Sequence, residues 1–355
     1  MTGLWLGKTN ESNGWYHTTL IASADCIQKL HILRYRQFRR QIDSNKITYH
    51  TFKPQSLIYN KFIAILLSGY KILKKHEIDF IITFNVFPYG LISWLLSVSH
   101  NKPLILCFVG SDYNYYLKRQ PYRFFIIMAC KKASMIICNG SHMIEGLKEI
   151  GIENKKMILH PNFVSNEWYG NTLETQDILY DIITICELIE LKNVDVIIRA
   201  IKLLADKGIN VHACIVGDGK ERERLIRLTE ILGIQGYIHL VGFQNNVLSF
   251  LKKSKIFVQA SRSEGLSLAL IEALAAGVVP ITTKAGSEKD IIKDGHNGLF
   301  VKIGSHEDLA NKIETLLDVG IYKKFKDVVD NERHQFSLSN ASQKIGLMLK
   351  DINDE

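Results

Sequence analysis

Short apolar runs alternate with longer stretches of mixed apolar and polar residues along the first half of the chain. Apolar runs of strand length lie at residues 2–8, 29–36, 46–53, 78–84, 103–108, 134–139 and 156–160. Stretches of helical length separate some of them, for example at residues 57–75 and 141–150. Because parallel strands need crossover connections and are buried on both faces, this alternation predicts a parallel sheet with helices on both sides.

The pattern restarts in the second half, after a polar stretch at residues 161–176 that we interpret as an interdomain linker. Predicted strands follow at residues 180–186, 210–216, 238–243, 255–260 and 278–283, and predicted helices at residues 193–207, 220–232, 247–253 and 339–352. The predicted boundaries are residues 1–165 for a first domain, 166–338 for a second and 339–355 for a C-terminal helix. Two doubly wound halves form a cleft, and such sheets bind ligands outside the carboxyl ends of their strands.

The composition agrees with two globular domains. The chain has 355 residues, which is more than one ordinary core holds, and it is 46% hydrophobic and 23% charged. Its six cysteines are scattered without a Cys-x-x-Cys pair. This spacing favours core thiols in a reducing compartment over disulfides or metal ligands. The formal net charge of +8 favours anionic partners.

The sequence predicts a cytoplasmic protein. Residues 1–13 contain no basic segment that leads into an apolar one, so no signal peptide is expected. The longest apolar region, residues 78–98, is interrupted by Asn85, Pro88 and Gly90. A strand followed by a helix therefore fits this region better than a membrane span.

Residues 261–277 carry the strongest signal for chemistry. They follow a predicted buried strand and become a helix whose first turn is polar, with Glu264 and Glu272 eight positions apart. The free N–H groups of a helix N-terminus attract a phosphate, whereas carboxylates beside it accept hydrogen bonds from neutral hydroxyls. The combination describes a site for a nucleotide joined to a sugar. A pair of surface glutamates without a binding role is the alternative.

The segments that follow make the signal more specific. They contain Gly286-Ser287-Glu288 and the turn Asp294-Gly295-His296-Asn297-Gly298-Leu299. With the two spaced glutamates, this run resembles the nucleotide-sugar half of the retaining glycosyltransferases of family four. In the first half the resemblance rests on Asp79, on Gly110-Ser111-Asp112 and on Pro161-Asn162. It implies an α/β protein with the GT-B fold, in which two Rossmann-like domains face each other across a cleft. It also implies that the C-terminal helix crosses back onto the first domain.

The resemblance also implies roles for individual residues. Lys192 would steady the leaving phosphate, although most lysines near a helix start are simply solvated. Gly217 and Gly219 would lie at the rim of the nucleotide pocket, or would serve only a tight turn that needs positive φ.

Four further residues receive roles from the same motif. Backbone N–H groups of Ser267 and Leu268 would contact the phosphates. Glu264 would accept hydrogen bonds from the transferred sugar, and Glu272 would accept them from the ribose.

This sequence also departs from the family. Glu187 stands where an arginine is usual and would repel a diphosphate, unless Arg262 or a basic residue of the first domain supplies the missing charge. Val109 replaces a common histidine, and Phe163 replaces a common glycine. These departures leave His17 and Asp112 as weak candidates on the acceptor side, where a structural role is the alternative.

Two basic stretches are interleaved with aromatic residues, at residues 34–40 and 116–132. Cations beside aromatics suit an anionic membrane surface, RNA or an ordinary solvated face. The membrane interpretation agrees with an acceptor carried on a lipid, and we expect no nucleic-acid partner.

The sequence therefore predicts a retaining glycosyltransferase that moves a sugar from a UDP- or GDP-sugar to an acceptor hydroxyl. The acceptor would be a saccharide or a lipid-linked glycan, in the assembly of surface polysaccharide at the inner face of the cell membrane. No cofactor and no metal are expected, because no Asp-x-Asp element lies where a metal–diphosphate site would need it. The alternatives are a non-catalytic sugar-nucleotide-binding subunit, a sugar-nucleotide epimerase and a dehydrogenase.

Overall fold

The chain folds into two compact units. The computed structural model describes residues 1–7, 19–35, 44–52, 58–108, 112–169 and 178–351. The first unit comprises Met1–Pro161 together with Leu338–Glu355, and the second comprises Asn162–Ser337. Among the described residues, every helix falls short of the length and apolar character needed to cross a membrane.

The first unit is built on a seven-stranded parallel sheet with the order β3-β2-β1-β4-β5-β6-β7. Its strands are β1 (Thr2–Gly7), β2 (Lys29–Tyr35), β3 (Ile47–Phe52), β4 (Phe80–Phe84), β5 (Leu104–Phe108), β6 (Met135–Cys138) and β7 (Met157–Leu159). The inner strands β4, β5 and β6 are buried at every position. This is expected of a parallel sheet that is covered on both faces.

Helices lie between these strands, in addition to a helical segment at residues 19–23. They are α1 (Ile58–Lys75), α2 (Leu91–His100), α3 (Tyr122–Lys132) and α4 (Ser141–Glu149). The interrupted apolar region at residues 78–98 becomes β4 and most of α2, so the prediction of a strand followed by a helix is confirmed.

The second unit is built on a six-stranded parallel sheet with the order β10-β9-β8-β11-β12-β13. Its strands are β8 (Tyr180–Ile185), β9 (Ala213–Val216), β10 (Ile238–Gly242), β11 (Ser254–Gln259), β12 (Val279–Thr283) and β13 (Leu299–Val301). Its helices are α5 (Val194–Asp206), α6 (Arg222–Ile231), α7 (Val247–Leu251), α8 (Leu268–Ala275), α9 (His306–Leu317) and α10 (Val319–Glu332). Two Rossmann-like parallel sheets confirm the predicted fold class.

Two helices of the second unit show how the sequence directs burial. In α5 the apolar residues Val194, Ile197, Ile198, Ile201 and Leu204 recur at helical spacing, and all are buried. Helix α8 is apolar almost throughout, so it lies inside the unit rather than on its surface.

The last helix, α11 (Leu338–Asp351), belongs to the first unit. His160 forms a hydrogen bond between its Nε2 and the carbonyl oxygen of Ala341, with 3.2 Å between the two atoms. The thiol of Cys26 donates to the carbonyl oxygen of Gly346. These contacts attach the final helix to the rest of the first unit.

Candidate active site

A cavity of about 480 Å³ lies at the carboxyl edge of the second sheet. It is lined by residues that follow β8, β9, β10 and β11 and by the start of α8. Parallel sheets of this type bind ligands at this edge, and the volume lies within the usual range for small-molecule pockets. The cavity therefore lies where the sequence predicts a ligand.

Lys192 and Glu264 meet at this cavity, although they are 72 residues apart in sequence. Lys192 Nζ lies 2.6 Å from Glu264 Oε1, and Ser261 Oγ donates to the same oxygen at 2.7 Å. The exposed fractions of the two charged side chains are 21% and 11%. The pair is thus mostly shielded from water but remains open to the cavity.

Hydrogen bonds between two loops hold this pair in place. The backbone N–H of Arg262 donates to the carbonyl oxygen of Leu191 at 2.9 Å, and Asn193 Nδ2 donates to the carbonyl oxygen of Ala260 at 3.1 Å. Asn193 has a left-handed φ of 49° and caps α5. The helix therefore begins at Val194, two residues after Lys192, which itself lies in a short 3-10 turn. The helix predicted at residues 193–207 thus starts one residue later than expected.

The Gly-Ser-Glu turn supports the loop that carries Glu264. Glu264 N–H donates to the carbonyl oxygen of Ala285 at 3.1 Å, and Ser287 N–H donates to that of Gly265 at 2.9 Å. A Cβ on Gly286 would lie 2.4 Å from the carbonyl oxygen of Glu264. Only glycine permits this close approach of two backbones.

Glu288 fixes the same turn from inside the protein. It is fully buried; its Oε2 accepts from the N–H of Gly286 at 2.7 Å, and its Oε1 accepts from Gln259 Nε2 at 3.3 Å. Burial raises the pKa of Glu288 to about 7, and the charge of Glu264 acts in the same direction, while backbone hydrogen bonds oppose the shift. No role for Glu288 was predicted from the sequence, although the Gly286-Ser287-Glu288 motif that contains it was a signal that this residue supports the site.

Glu272 and the start of α8 line the inner part of the cavity. Ser267 is the N-cap of α8, and its Oγ accepts from the N–H of Leu270 at 3.3 Å. The first N–H groups of a helix have no acceptor within the helix, so this end favours an anion. Burial raises the pKa of Glu272 to about 7, because the carboxylate loses much of its hydration.

Gly217 and Gly219 are required by packing. A Cβ on Gly217, whose φ is 136°, would lie 1.8 Å from the carbonyl oxygen of Cys186. A Cβ on Gly219 would lie 2.4 Å from the carbonyl oxygen of Leu188. The loop after β9 thus lies directly against the loop after β8. The tight-turn interpretation accounts for both residues, and Gly217 also lines the cavity.

The cavity has few positive charges. Among the described residues that line it, Lys192 is the one cation, alongside four acidic residues: Glu187, Asp218, Glu264 and Glu272. Arg262, a proposed substitute for the usual arginine, is exposed and lies 3.4 Å from Glu190, with which it forms an ion pair. An anionic ligand would therefore be held chiefly by Lys192 and the N-terminus of α8.

Sequence reasoning missed Phe243, and it named Asn162 only as part of the family resemblance, without a role. Phe243 follows β10 and lines the cavity, yet 71% of its surface is exposed. An exposed aromatic ring at a cavity mouth is a usable face for a flat ligand. Asn162 Nδ2 donates to the carbonyl oxygen of Leu266 at 3.2 Å, which ties the start of the second unit to the loop before α8. Phe163 beside it is buried.

The candidates in the first unit are less well defined. Asp112 is buried, whereas Val109 and His17 lie outside the described residues, as do Gly110 and Ser111.

Comparison with known proteins assigns the family. The family model described as glycosyl transferases group 1 matches residues 174–335, and the glycosyl transferase 4-like model matches residues 12–140. An uncharacterized glycosyltransferase of Methanocaldococcus jannaschii is 30% identical over 354 residues, covering 89% of this chain and 82% of that protein. The chain belongs to the group 1 glycosyltransferases. This glycosyltransferase carries all of its candidate donor-site residues within the segment that the group 1 model matches.

Two further similarities are informative. A Campylobacter jejuni protein is 27% identical over 307 residues, covering 83% of this chain and 80% of the relative. It is named GalNAc-alpha-(1->4)-GalNAc-alpha-(1->3)-diNAcBac-PP-undecaprenol alpha-1,4-N-acetyl-D-galactosaminyltransferase. The crystal structure of Anabaena HepE in complex with UDP has a TM-score of 0.80 and 16% sequence identity, with coverage of 99% of this chain and 100% of that one. The GT-B fold of this glycosyltransferase follows, and the enzyme interpretation is favoured over a binding subunit or an epimerase.

Proposed function

We propose that this glycosyltransferase takes a sugar from a UDP- or GDP-sugar and moves it to an acceptor hydroxyl with retention at the anomeric carbon. The observation that carries the proposal is the 2.6 Å contact between Lys192 and Glu264 at the cavity where α8 begins. The ammonium of Lys192 can bind a phosphate, and the carboxylate of Glu264 can accept hydrogen bonds from sugar hydroxyls. Because the two side chains are one hydrogen bond apart, they match the phosphate and the sugar on either side of a sugar–diphosphate bond.

Lys192 and the start of α8 bind the diphosphate in this proposal. The N–H groups of Ser267 and Leu268 face an anion at the helix N-terminus. A charge-assisted contact from Lys192 adds about 1.5–3 kcal/mol. Lys192 leaves Glu264 Oε1 for a phosphate oxygen when the donor enters. Glu264, still held by Ser261, then accepts from hydroxyls of the transferred sugar.

Glu272 and Phe243 bind the nucleoside part. The carboxylate of Glu272 accepts from the ribose hydroxyls, and the exposed ring of Phe243 stacks on the base. Gly217 and Gly219 act by keeping the loop after β9 close enough to shape the pocket rim.

Transfer then needs no protein base. The acceptor oxygen forms its bond to the anomeric carbon on the face that the phosphate leaves, and the acceptor proton passes to the departing phosphate oxygen. Lys192 and the helix N-terminus stabilise the negative charge that develops there. We propose that no metal or other cofactor takes part, because these groups supply the positive charge.

The acceptor is assigned to the first domain, residues 1–165, and the donor to the second, residues 166–338. The undecaprenol in the name of the Campylobacter jejuni relative supports a lipid-linked acceptor. We therefore place the enzyme in the cytoplasm, peripherally at the inner face of the cell membrane, in the assembly of surface polysaccharide or lipid-linked glycan.

A surface of the first unit supports the membrane part of this proposal. The guanidinium of Arg119 lies 3.9 Å above the ring of Tyr115, and Phe124 at the start of α3 is 57% exposed. Arg123 is exposed beside them. We name Tyr115, Arg119, Arg123 and Phe124 the cationic aromatic surface. Exposed rings next to guanidinium groups suit the headgroup region of an anionic membrane.

The donor assignment is tested by titrating the purified chain with UDP, GDP and their sugars in a calorimeter. The transfer assay then uses the best donor and a membrane lipid extract, and the anomeric configuration of the product is determined by NMR. Binding and a product of retained configuration support the proposal. Failure to bind any nucleoside diphosphate overturns the site, an inverted product overturns the mechanism, and loss of activity in EDTA without a fall in melting temperature overturns the metal-free chemistry.

The membrane assignment is tested separately by sedimentation with vesicles of phosphatidylglycerol or phosphatidylcholine. We expect binding to the anionic vesicles only, and its loss in the double variant Arg119→Glu/Arg123→Glu. The control is Lys323→Glu/Lys324→Glu, which makes the same charge change on exposed residues of α10. Equal binding by the two double variants would refute a role for the cationic aromatic surface.

A further inference from the structure

Three histidines of the first unit converge on one face of its sheet. His31 lies on β2, His50 lies on β3, and His76 follows the last residue of α1. In the parallel pairing of β2 with β3, His31 is opposite Thr48 and Leu33 is opposite His50. Because side chains alternate along a strand, His31 and His50 point to the same face, which the end of α1 covers.

The three rings are in mutual contact. His31 Nδ1 and His50 Nε2 are 2.8 Å apart. The ring centroid of His76 lies 4.3 Å from that of His31 and 5.7 Å from that of His50. One ring nitrogen from each residue can be chosen so that all three lie within 4.8 Å of one another. His31 is 1% exposed, whereas His50 and His76 are half-buried.

The surroundings favour neutral rings. Burial lowers the pKa of His31 to about 4 and lowers that of His50, and the positive charges of nearby side chains act in the same direction. A neutral imidazole has a free lone pair on one nitrogen and is a common metal ligand. Lys29 and Lys75 also face the cluster and oppose a dication, so any affinity must come from the three nitrogen bonds.

We infer that His31, His50 and His76 form a binding site for a divalent transition metal such as zinc, with a fourth position open to water. Three imidazole nitrogens suit zinc and its neighbours, whereas magnesium and calcium prefer oxygen ligands. Zinc–nitrogen bonds of about 2.0–2.1 Å in a tetrahedron place the nitrogens roughly 3.3–3.4 Å apart. His31 Nδ1 and His50 Nε2, which are 2.8 Å apart, must move apart, and the most widely separated pair of ring nitrogens must move closer together. Rotation of the half-buried His50 and His76 rings supplies both movements.

The ligands come from three separate elements. A bound metal would join β2, β3 and the end of α1, and β3 is the edge strand of the sheet. Metal binding would therefore stabilise this edge of the first unit. Metal binding at this edge is independent of donor binding, which we assign to the second unit.

The experiment uses the full chain without an affinity tag, stripped with EDTA and then dialysed free of it. Zinc chloride is titrated in a calorimeter with no sugar nucleotide present, and cobalt chloride is added to a second sample for visible absorption. We expect one zinc per chain and cobalt bands typical of a tetrahedral nitrogen site. A rise in the melting temperature of the zinc-loaded protein, with free zinc about 100 times Kd, should accompany them.

Loss of a residue that only hydrogen-bonds a metal ligand typically lowers metal affinity about 10- to 100-fold, and loss of a ligand itself should lower it at least as much. The variants His50→Gln and His76→Gln should therefore each weaken zinc binding at least about 10-fold. His100→Gln is the matched control, because His100 is half-buried in the same unit and bonds Ser99 instead. Absence of stoichiometric zinc binding, or zinc affinity equal to wild type in both cluster variants, overturns the inference. If the variants unfold, the cobalt spectrum of the wild-type protein decides, and its lack of tetrahedral bands would refute the site.

Discussion

Removing the ammonium of Lys192 gives the sharpest test of the donor site. Lys192→Ala removes a charge-assisted contact to the leaving diphosphate, which is worth about 1.5–3 kcal/mol. At about 1.4 kcal/mol for each factor of ten, kcat/KM should fall roughly 10- to 150-fold. The loss has a second source, because Glu264 keeps only the hydrogen bond from Ser261 in the variant.

A double-mutant cycle separates these two effects. Glu264→Ala should depress kcat more than donor affinity, since its partner hydroxyls belong to the transferred sugar. If Lys192 and Glu264 act on adjacent parts of one donor, the effects of the two changes on kcat/KM will not add, and a coupling of about 0.5–3 kcal/mol is expected. Steady-state transfer kinetics with the best donor measure all four corners of the cycle.

The control for this cycle is Lys202→Ala on α5. Lys202 also forms an ion pair, with Asp206, but it lies on an exposed face of the helix. Its removal should leave kcat/KM unchanged, because exposed pairs contribute little. Wild-type kinetics in Lys192→Ala, with melting temperature also unchanged, would refute the role given to this cation.

Three further changes test other parts of the site. Glu272→Ala should raise the calorimetric Kd for the nucleoside diphosphate at least several-fold, and an unchanged Kd would exclude a ribose contact. The affinity of the wild-type protein for the donor should increase as pH rises through about 7 and Glu272 ionises, and the variant should lack this pH dependence. Glu288 has a folded-state pKa of about 7, above its ordinary value of 4.5, so its contribution to stability is complete at pH 4 and is lost as pH rises through 7. Glu288→Gln should therefore flatten the fall in melting temperature between pH 5 and pH 8, and an equally steep fall would contradict the assignment. Gly217→Ala should lower stability by about 2 kcal/mol or more in denaturant unfolding, because its Cβ would meet the carbonyl oxygen of Cys186, whereas Gly236→Ala, which meets nothing within 4 Å, should not.

Local pattern predicted much of the fold. The amphipathic stretch at residues 57–75 becomes α1 (Ile58–Lys75), and the apolar run at residues 46–53 becomes β3 (Ile47–Phe52). No helix is predicted from the sequence between residues 302 and 338, although α9 and α10 lie there. The signal for α9 was present, since Ser305 caps the helix and Leu309, Ile313 and Leu316 are spaced along one face.

The candidate site was harder to predict because its contacts depend on strand order. Lys192 meets Glu264 since β8 and β11 are neighbours in the sheet, which no local pattern reveals. The same holds for the histidine cluster, whose members lie on separate elements. The raised pKa of Glu272 follows from burial by the surrounding fold, whereas the sequence gives only the spacing of the glutamates.

The hydrogen bond from Arg262 to Leu191 joins two main chains. Neither side chain takes part in it, so both positions are free to change while the two loops stay in register. Side-chain contacts also join the two loops, from Asn193 to the carbonyl oxygen of Ala260, from Lys192 to Glu264 and from Arg262 to Glu190. Because the main-chain contact does not depend on the exposed side chains of Glu190 and Arg262, variation at these two residues should leave the spacing of Lys192 and Glu264 unchanged. The two positions are therefore suited to surface changes, such as the attachment of a probe, that should not disturb the candidate site.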